Sequence, residues 1–246
     1  MATLTNKVAI VTGSSSGIGQ GIAERLGRDG AAVVVDWHGH EDGAKETARR
    51  IEAVGGRATT CRADITSASD VAGLFEHCMA TFGRPDILVN NAGKGALQPL
   101  AEFDDATFDD IYGLNVRGTL HCLRQASLHL ADEGRIVNIC STSATYPWPN
   151  AAVYASSKAA VEKLTEIAAA ELGARRIHVN AVIPGITETP MQAALPPEAT
   201  QPVADASPWK RLGRPEDIAA VVAFLCGPDS HWVTGQRIVA NGGSGH

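Results

Sequence analysis

The run K-V-A-I-V-T, residues 7–12, passes directly into G-S-S-S-G-I-G, residues 13–19, and then into Q-G-I-A-E-R-L-G-R-D-G. No other junction limits the fold as strongly. A short, β-branched, nearly unbroken apolar run is what a strand buried on both faces requires. The segment after the glycines has a helical period and stops at Gly30, and A-A-V-V-V, ending at Val35, is a second buried strand. Strand, glycine loop, helix, strand is the opening of a βαβ unit, whose crossover is right-handed.

The alternation continues to the end of the chain. Helices are expected over E-D-G-A-K-E-T-A-R-R-I-E-A-V-G-G, S-D-V-A-G-L-F-E-H-C-M-A-T-F-G, I-Y-G-L-N-V-R-G-T-L-H-C-L-R-Q-A, the segment holding Tyr154, and P-E-D-I-A-A-V-V-A-F-L-C. Between and after them come strands A-T-T-C-R-A-D-I, D-I-L-V-N-N, R-I-V-N-I, I-H-V-N-A-V and Q-R-I-V-A. This is the pattern of an α/β doubly wound parallel sheet in one domain, residues 1–246, with helices on both faces. The exception is Pro190 to Arg211, where Pro196, Pro197, Pro202 and Pro208 read as too proline-rich for a straight helix. A loop of that length in a compact domain reads as a lid over a site, at about 190–211.

Composition narrows the partners. A net charge of −6 with scattered Lys and Arg argues against nucleic acid, which needs a concentrated basic surface. No apolar run reaches membrane-spanning length, and the N-terminus lacks a signal pattern, so a cytoplasmic protein is expected. Cys61, Cys78, Cys122, Cys140 and Cys226 are odd in number and form no C-x-x-C; they read as reduced, mostly buried thiols. The histidines have no metal-ligand spacing, so no metal is expected.

Several candidate sites lie at strand ends. Gly13, Gly17 and Gly19, with Ser15, Ser16 and Ile18 between them, stand where backbone N–H groups can meet a pyrophosphate at a helix N-terminus, although G-x-x-x-G-x-G departs from the commoner G-x-G-x-x-G spacing. Asp36, closing the second strand, suits the adenosine ribose hydroxyls and would repel a 2′-phosphate, a lean toward NAD over NADP; Trp37, His38 and His40 leave room for the phosphate. Asp64 serves equally as an adenine acceptor or as a helix cap. In N-N-A-G, residues 90–93, Asn90 reads as structural, while the small residues after it allow close ligand approach. Asn115 inside a helical pattern marks a kink and a water site. P-G-I-T-E-T, from Pro184 and Gly185 to Thr187 and Thr189, offers a turn with two hydroxyls, suited to a carboxamide or simply to a turn.

Tyr154 and Lys158 stand four apart on a helical pattern and so share one face. A free phenol, with a pKa near ~10, is a poor base at neutral pH, and a neighbouring ammonium favours its ionised form, as general acid/base work requires. Ser141, after R-I-V-N-I-C, can point at the same spot from a strand terminus.

Assembled in order, T-G-S-S-S-G-I-G, N-N-A-G, Asn115, Ser141, Y-A-S-S-K and P-G-I-T-E-T make the chain resemble the short-chain dehydrogenase/reductase family over essentially its whole length. The resemblance implies a Rossmann-like fold with a seven-stranded sheet. It implies an NAD(P)-dependent oxidoreductase moving a hydride between nicotinamide and a secondary alcohol or ketone, with Tyr154 as acid/base and Lys158 supporting it and holding the nicotinamide ribose. In the same way Ser141 would orient the substrate oxygen, and Asn115 would hold a relay water. The resemblance further assigns Gly13 to Gly19 to the pyrophosphate, Asp64 and Ile65 to adenine, Asn91, Ala92 and Gly93 to the adenosine-side ribose region, and Thr187 and Thr189 to the carboxamide. A homotetramer packed through the Asn115 and Tyr154 helices and the C-terminal segment is expected. The acidic residue usual in NAD-specific members aligns with Trp37 here, one past Asp36. Cys140, before Ser141, stands where a small residue or serine is usual and is expected to affect packing only. Y-P-W-P, residues 146–149, is similar to a stretch of glucose dehydrogenase and naphthol reductase members. Sugars, 3-oxoacyl thioesters and cyclic or aromatic ketones are the rival substrates; a thioester carrier favours a basic patch, and Lys210, Arg211 and Arg214 form a small one. The alternative from another class is a catalytically silent dinucleotide-binding redox sensor, which loss of Tyr154 or Lys158 would have favoured; both are present.

Overall fold

A computed structural model describes residues 3–193 and 197–244. Seven parallel strands form one sheet in the order β3-β2-β1-β4-β5-β6-β7. They are β1 (Val8–Val11), β2 (Ala32–Trp37), β3 (Arg57–Arg62), β4 (Ile87–Asn90), β5 (Arg135–Ile139), β6 (His178–Pro184) and β7 (Arg237–Ala240). The order reverses between β1 and β4, so the C-terminal ends of these strands open into a crevice at the switch point.

Two apolar layers sandwich the sheet. On one face α1 (Gly17–Arg28), α2 (Glu41–Ala53) and α9 (Pro215–Cys226) pack against alternate strand residues such as Val11, Val33, Val89 and Val182. On the other, α3 (Ala68–Phe82), α5 (Thr119–His129) and α6 (Ala152–Leu172) cover Ile10, Val34, Leu88 and Ile136. The alternation of neighbouring residues between the two layers is the period of two that a strand imposes.

The remaining helices are α4 (Asp105–Tyr112), α7 (Pro190–Ala193) and α8 (Pro197–Ala206). A π-helical turn, Gly113–Gly118, joins α4 to α5, and Asn115 lies within it. The expected kink is therefore a widened turn, a feature frequent at functional sites. The proline-rich segment is a correction. It is partly helical, because Pro190 and Pro197 occupy first helical positions, where the missing N–H costs nothing. Pro202 sits inside α8. Residues 194–196 of the expected lid lie outside the described residues. Among the described residues no helix is long and apolar enough to cross a membrane.

Candidate active site

The glycine loop is built from its conformation outward. Gly13 and Gly17 have φ of +60° and +56°, which side-chain-bearing residues rarely adopt. A Cβ on Gly13 would also stand 2.8 Å from Ala92 Cα, and one on Gly19 would stand 2.3 Å from Asn91 Nδ2. The loop is thus pressed onto the end of β4. Thr12 Oγ1 accepts N–H bonds from Asn91 (3.0 Å) and Ala92 (3.1 Å), while Asn91 Nδ2 donates to the carbonyls of Thr12 and Gly13 (both 3.0 Å). From α2, Thr47 Oγ1 shares its proton between the Gly43 carbonyl at 2.8 Å and the Ser14 carbonyl at 3.1 Å. Thr47 is a site residue that sequence reasoning missed; its only signal was a hydroxyl on an otherwise apolar helix face.

Helix α1 begins without a side-chain cap on its first N–H groups. Its cap, Ser16, makes no side-chain bond to them, and its first turn holds no acid, whereas Ser67 caps α3 and Asp104 caps α4. N–H groups at a helix start that no side chain caps, beside a loop whose Gly13, Gly17 and Gly19 carry no Cβ, fit the pyrophosphate of a dinucleotide. Ser15, Ser16 and Ile18 are half-buried along this lip.

Asp36 requires a correction. It is 2% exposed, Oδ2 accepts the Gly13 N–H at 3.0 Å, and Oδ1 is buried without a hydrogen-bond partner. Neither oxygen is offered to a ribose. Its direction depends on the Gly13 N–H beneath the loop, and spacing along the chain does not report that. Asp64 caps no helix, since Ser67 does that; its Oδ1 accepts from Thr66 N (2.9 Å) and Thr66 Oγ1 (2.7 Å). Burial opposes its ionisation, but those two bonds outweigh it and hold the carboxyl below the usual range. Ile65 is buried against Gly118, with its carbonyl 3.1 Å from His121 Nδ1.

The other half of the crevice gathers around α6. Lys158 is 6% exposed, and its Nζ donates to the Ile139 carbonyl at 2.8 Å. A Cβ on Gly93 would stand 3.2 Å from that Nζ and 3.1 Å from Asn115 Oδ1; one on Gly95 would stand 3.2 Å from Cδ2 of the Tyr154 ring. Two glycines therefore let the strand-end loop lie directly on the ammonium and the phenol. Gly95 was absent from the expected set. Asn115 Oδ1 accepts the Lys94 N–H (3.0 Å), and its Nδ2 donates to the Lys94 carbonyl and to Ser157 Oγ (both 2.9 Å). The amide is a clamp between that loop and α6.

Ser141 Oγ accepts from Ser143 N (3.2 Å) and lies 2.9 Å from Ser143 Oγ, capping a short 3-10 turn. Cys140 before it is buried with Val161, Ala181 and Ile183, and burial pushes its thiol up to about 12, consistent with packing. Asn90 is structural, as expected: its Nδ2 donates to Asn138 Oδ1, and Asn138 Nδ2 to Thr165 Oγ1, both at 2.8 Å. On the far lip Pro184 ends β6, a Cβ on Gly185 would stand 2.9 Å from Asn241 Cβ, Thr187 Oγ1 donates to the Gly185 carbonyl at 3.0 Å, and Thr189 packs over Gly17.

The chain is similar to known proteins over nearly its whole length. A family model described as enoyl-(acyl carrier protein) reductase matches residues 13–245. A hydroxynaphthalene reductase-like protein of Metarhizium brunneum is 40% identical over 98% of this chain and 96% of its own. A dehydrogenase/reductase from Sinorhizobium meliloti superposes with a TM-score of 0.95 at 40% identity, covering 100% and 97%. The angucycline C-6 ketoreductase LanV, solved with bound NADP, does so at 0.93 and 38%, covering 98% and 96%.

The chain belongs to the short-chain dehydrogenase/reductase family. It is an enzyme, an NAD(P)-dependent oxidoreductase of the ketone and alcohol class, and the silent redox sensor is set aside.

Proposed function

We propose that this enzyme reduces a ketone carried on a cyclic or aromatic skeleton, with NADPH as the favoured cofactor, and that Tyr154, Lys158, Ser141 and Asn115 do the protein's share of the chemistry. One observation carries the reading: a buried ammonium, held at 2.8 Å by the Ile139 carbonyl, sits one helical turn from a phenol, with glycines 93 and 95 laid against both. A bound reduced nicotinamide supplies a hydride. The Tyr154 hydroxyl delivers a proton to the substrate oxygen. Lys158 offsets the negative charge left on the phenolic oxygen, and its buried position makes that charge count for more than it would in water. Ser141, fixed by Ser143, donates a hydrogen bond to the same substrate oxygen. Asn115 keeps the Lys94 loop and α6 in register and, through the π-helical turn, serves a proton path behind Lys158.

The residues that would hold the cofactor are the loop Gly13 to Gly19 at the pyrophosphate, Asp64 and Ile65 at adenine, Asn91 to Gly93 at the ribose, and Pro184, Gly185, Thr187 and Thr189 at the carboxamide. The sealed position of Asp36 removes the ground for preferring NAD. Trp37 occupies the place of the selecting acid, and exposed Arg62, in register with Trp37 across β3, brings positive charge beside His38. That charge favours a 2′-phosphate.

The cyclic ketone rests on the exposed apolar rim of Leu97, Leu100, Phe103 and Met191 and on the names of the two reductases above. The segment at 190–211 is read as the lid of a single domain. Apolar side chains left exposed on α4 to α6 (Phe108, Leu120, Ile167) and near the C-terminus (Phe224, Trp232, Val239) support a homotetramer. Five free thiols suit a reducing cytoplasm.

Tyr154→Phe tests the mechanism. Reduction of a bicyclic aromatic ketone should fall by about 10²–10⁴ while NADPH binding persists; equal rates would remove Tyr154 from its role. A tighter fit of NADH than NADPH would overturn the cofactor choice.

A further inference from the structure

Asp36 is fastened to two consecutive residues of the glycine loop. Its Oδ2 takes the Gly13 N–H at 3.0 Å, and its main-chain carbonyl takes the Ser14 N–H at 2.9 Å. Its second carboxyl oxygen is buried with no hydrogen-bond partner. The titratable groups facing it are Cys61, its neighbour across β3, Asp64 on the β3–α3 connection, and Cys122 from α5. None is a cation, and His38, two residues along the chain, lies 3.9 Å from Asp64 Oδ2. A buried carboxylate without a positive neighbour or a full set of donors is costly. Burial above all, with the charge of Asp64 adding and backbone N–H groups opposing, pushes this carboxyl up to about 7.

We propose that Asp36 is a positioning residue that couples cofactor affinity to pH: as the neutral acid it holds the Gly13 turn for a dinucleotide, and as the carboxylate it opposes one. The inference rests on the reading of residues 13–19 as the pyrophosphate site. A pyrophosphate carries two negative charges, and a third charge directly beneath Gly13, screened by little solvent, repels it. The carboxylate also draws the Gly13 N–H more strongly than the neutral acid does, holding it back from the ligand. By linkage, a bound dinucleotide makes Asp36 harder to ionise, so binding above neutral pH takes up a proton. Atoms balance simply: the proton comes from buffer and stays on the carboxyl.

Calorimetry in buffers of different ionisation heat measures that proton. Full-length wild type and Asp36→Asn are titrated with NADPH at pH 8, where any contribution from the 2′-phosphate is common to both and cancels in the difference. Wild type should take up a fraction of a proton that the variant does not. Between pH 6 and 8.5 the wild-type Kd should rise several-fold relative to that of the variant. Equal proton uptake with parallel Kd profiles would overturn the inference and leave the cofactor site standing. If neither protein binds NADPH or NADH, the pyrophosphate reading falls and takes the inference with it. Should Asp36→Asn fail to fold, wild type alone decides with NADH, which lacks the 2′-phosphate: zero proton uptake at pH 8 overturns the proposal, and uptake that disappears by pH 5 supports it.

Discussion

The two rims of the crevice are built differently. Over β1 and β2 the glycine loop is short and tied on every side: Thr12 N to Val89 O (3.0 Å), Ser14 N to Asp36 O (2.9 Å), Thr47 to Ser14 O (3.1 Å) and Asn91 to two loop carbonyls. Over β4 and β5 the loops are long, and one backbone bond joins them, Gln98 N to Asn150 O at 2.6 Å. That rim exposes Leu97, Leu100 and Phe103. A rim that recognises one invariant group can be rigid, because each extra bond fixes the same geometry. A rim that admits a bulky apolar substrate must leave apolar surface uncovered until the substrate covers it.

The strongest way to break this contrast is to overfill the rigid rim. A methyl group at Gly19 would stand 2.3 Å from Asn91 Nδ2 and 2.5 Å from the Gly13 carbonyl, with Ser14 Cα at 3.0 Å. Two of these are backbone atoms that cannot swing aside. Gly19→Ala should destabilise the fold by about 3 kcal/mol and abolish cofactor binding together with activity. Thermal unfolding and nucleotide titration check both; retained NADPH affinity would show the rim to be more plastic than its hydrogen bonds imply.

Next in size is the charge under that rim. In the unfolded chain Asp36 titrates as an ordinary carboxyl; folded, it is pushed up to about 7 by burial. The folded state therefore binds the proton more tightly, and its stability falls as pH rises from the unfolded value to about 7. Between pH 5 and 8 wild type should lose roughly 2–3 kcal/mol relative to Asp36→Asn, as an upper figure. Denaturant midpoints at the two pH values measure it, and parallel changes in the two proteins would place the titration elsewhere.

How much of each rim was legible follows the same division. The glycine loop, the Tyr154–Lys158 spacing and the helix over Pro215–Cys226 could be read because each depends on local periods and on residues without a Cβ. The direction of Asp36 could not, since it depends on the Gly13 N–H of another element. Proline count misled at Pro190 and Pro197, where position within the helix mattered more than number. Gly95 was overlooked because nothing nearby in sequence shows that the Tyr154 ring lies on it. Long-range contacts of this kind define the substrate rim, and so its shape was the least readable part.

The seam between the rims is Asn115. Asn115→Ala removes bonds to Lys94 N, Lys94 O and Ser157 Oγ and should cost about 2 kcal/mol. Its effect should divide unevenly, with kcat falling more than cofactor affinity, because the clamp aligns α6 with the strand-end loop and leaves the glycine loop untouched. Single-turnover kinetics beside NADPH titration separate the two. A larger loss in affinity than in kcat would mean that the rims are mechanically one piece.

The smallest expected effect repeats the first chemical change on the opposite rim. A methyl group at Gly95 would approach Cδ2 of Tyr154 to 3.2 Å, with the next ring atoms at 3.4 and 3.5 Å. Those atoms belong to a side chain that can tilt by a few tenths of an ångström, so Gly95→Ala should change stability by less than about 0.5 kcal/mol. The tilt does reach the phenol. Turnover should fall a few-fold and vary with the size of the ketone, while NADPH affinity stays at the wild-type level. The same substitution at Gly19 and Gly95 therefore asks whether the crevice has a rigid lip and a yielding one. If Gly95→Ala weakened NADPH binding and stability as much as Gly19→Ala, the difference drawn between the rims would be wrong, and the Tyr154 ring would have to count as part of the rigid frame.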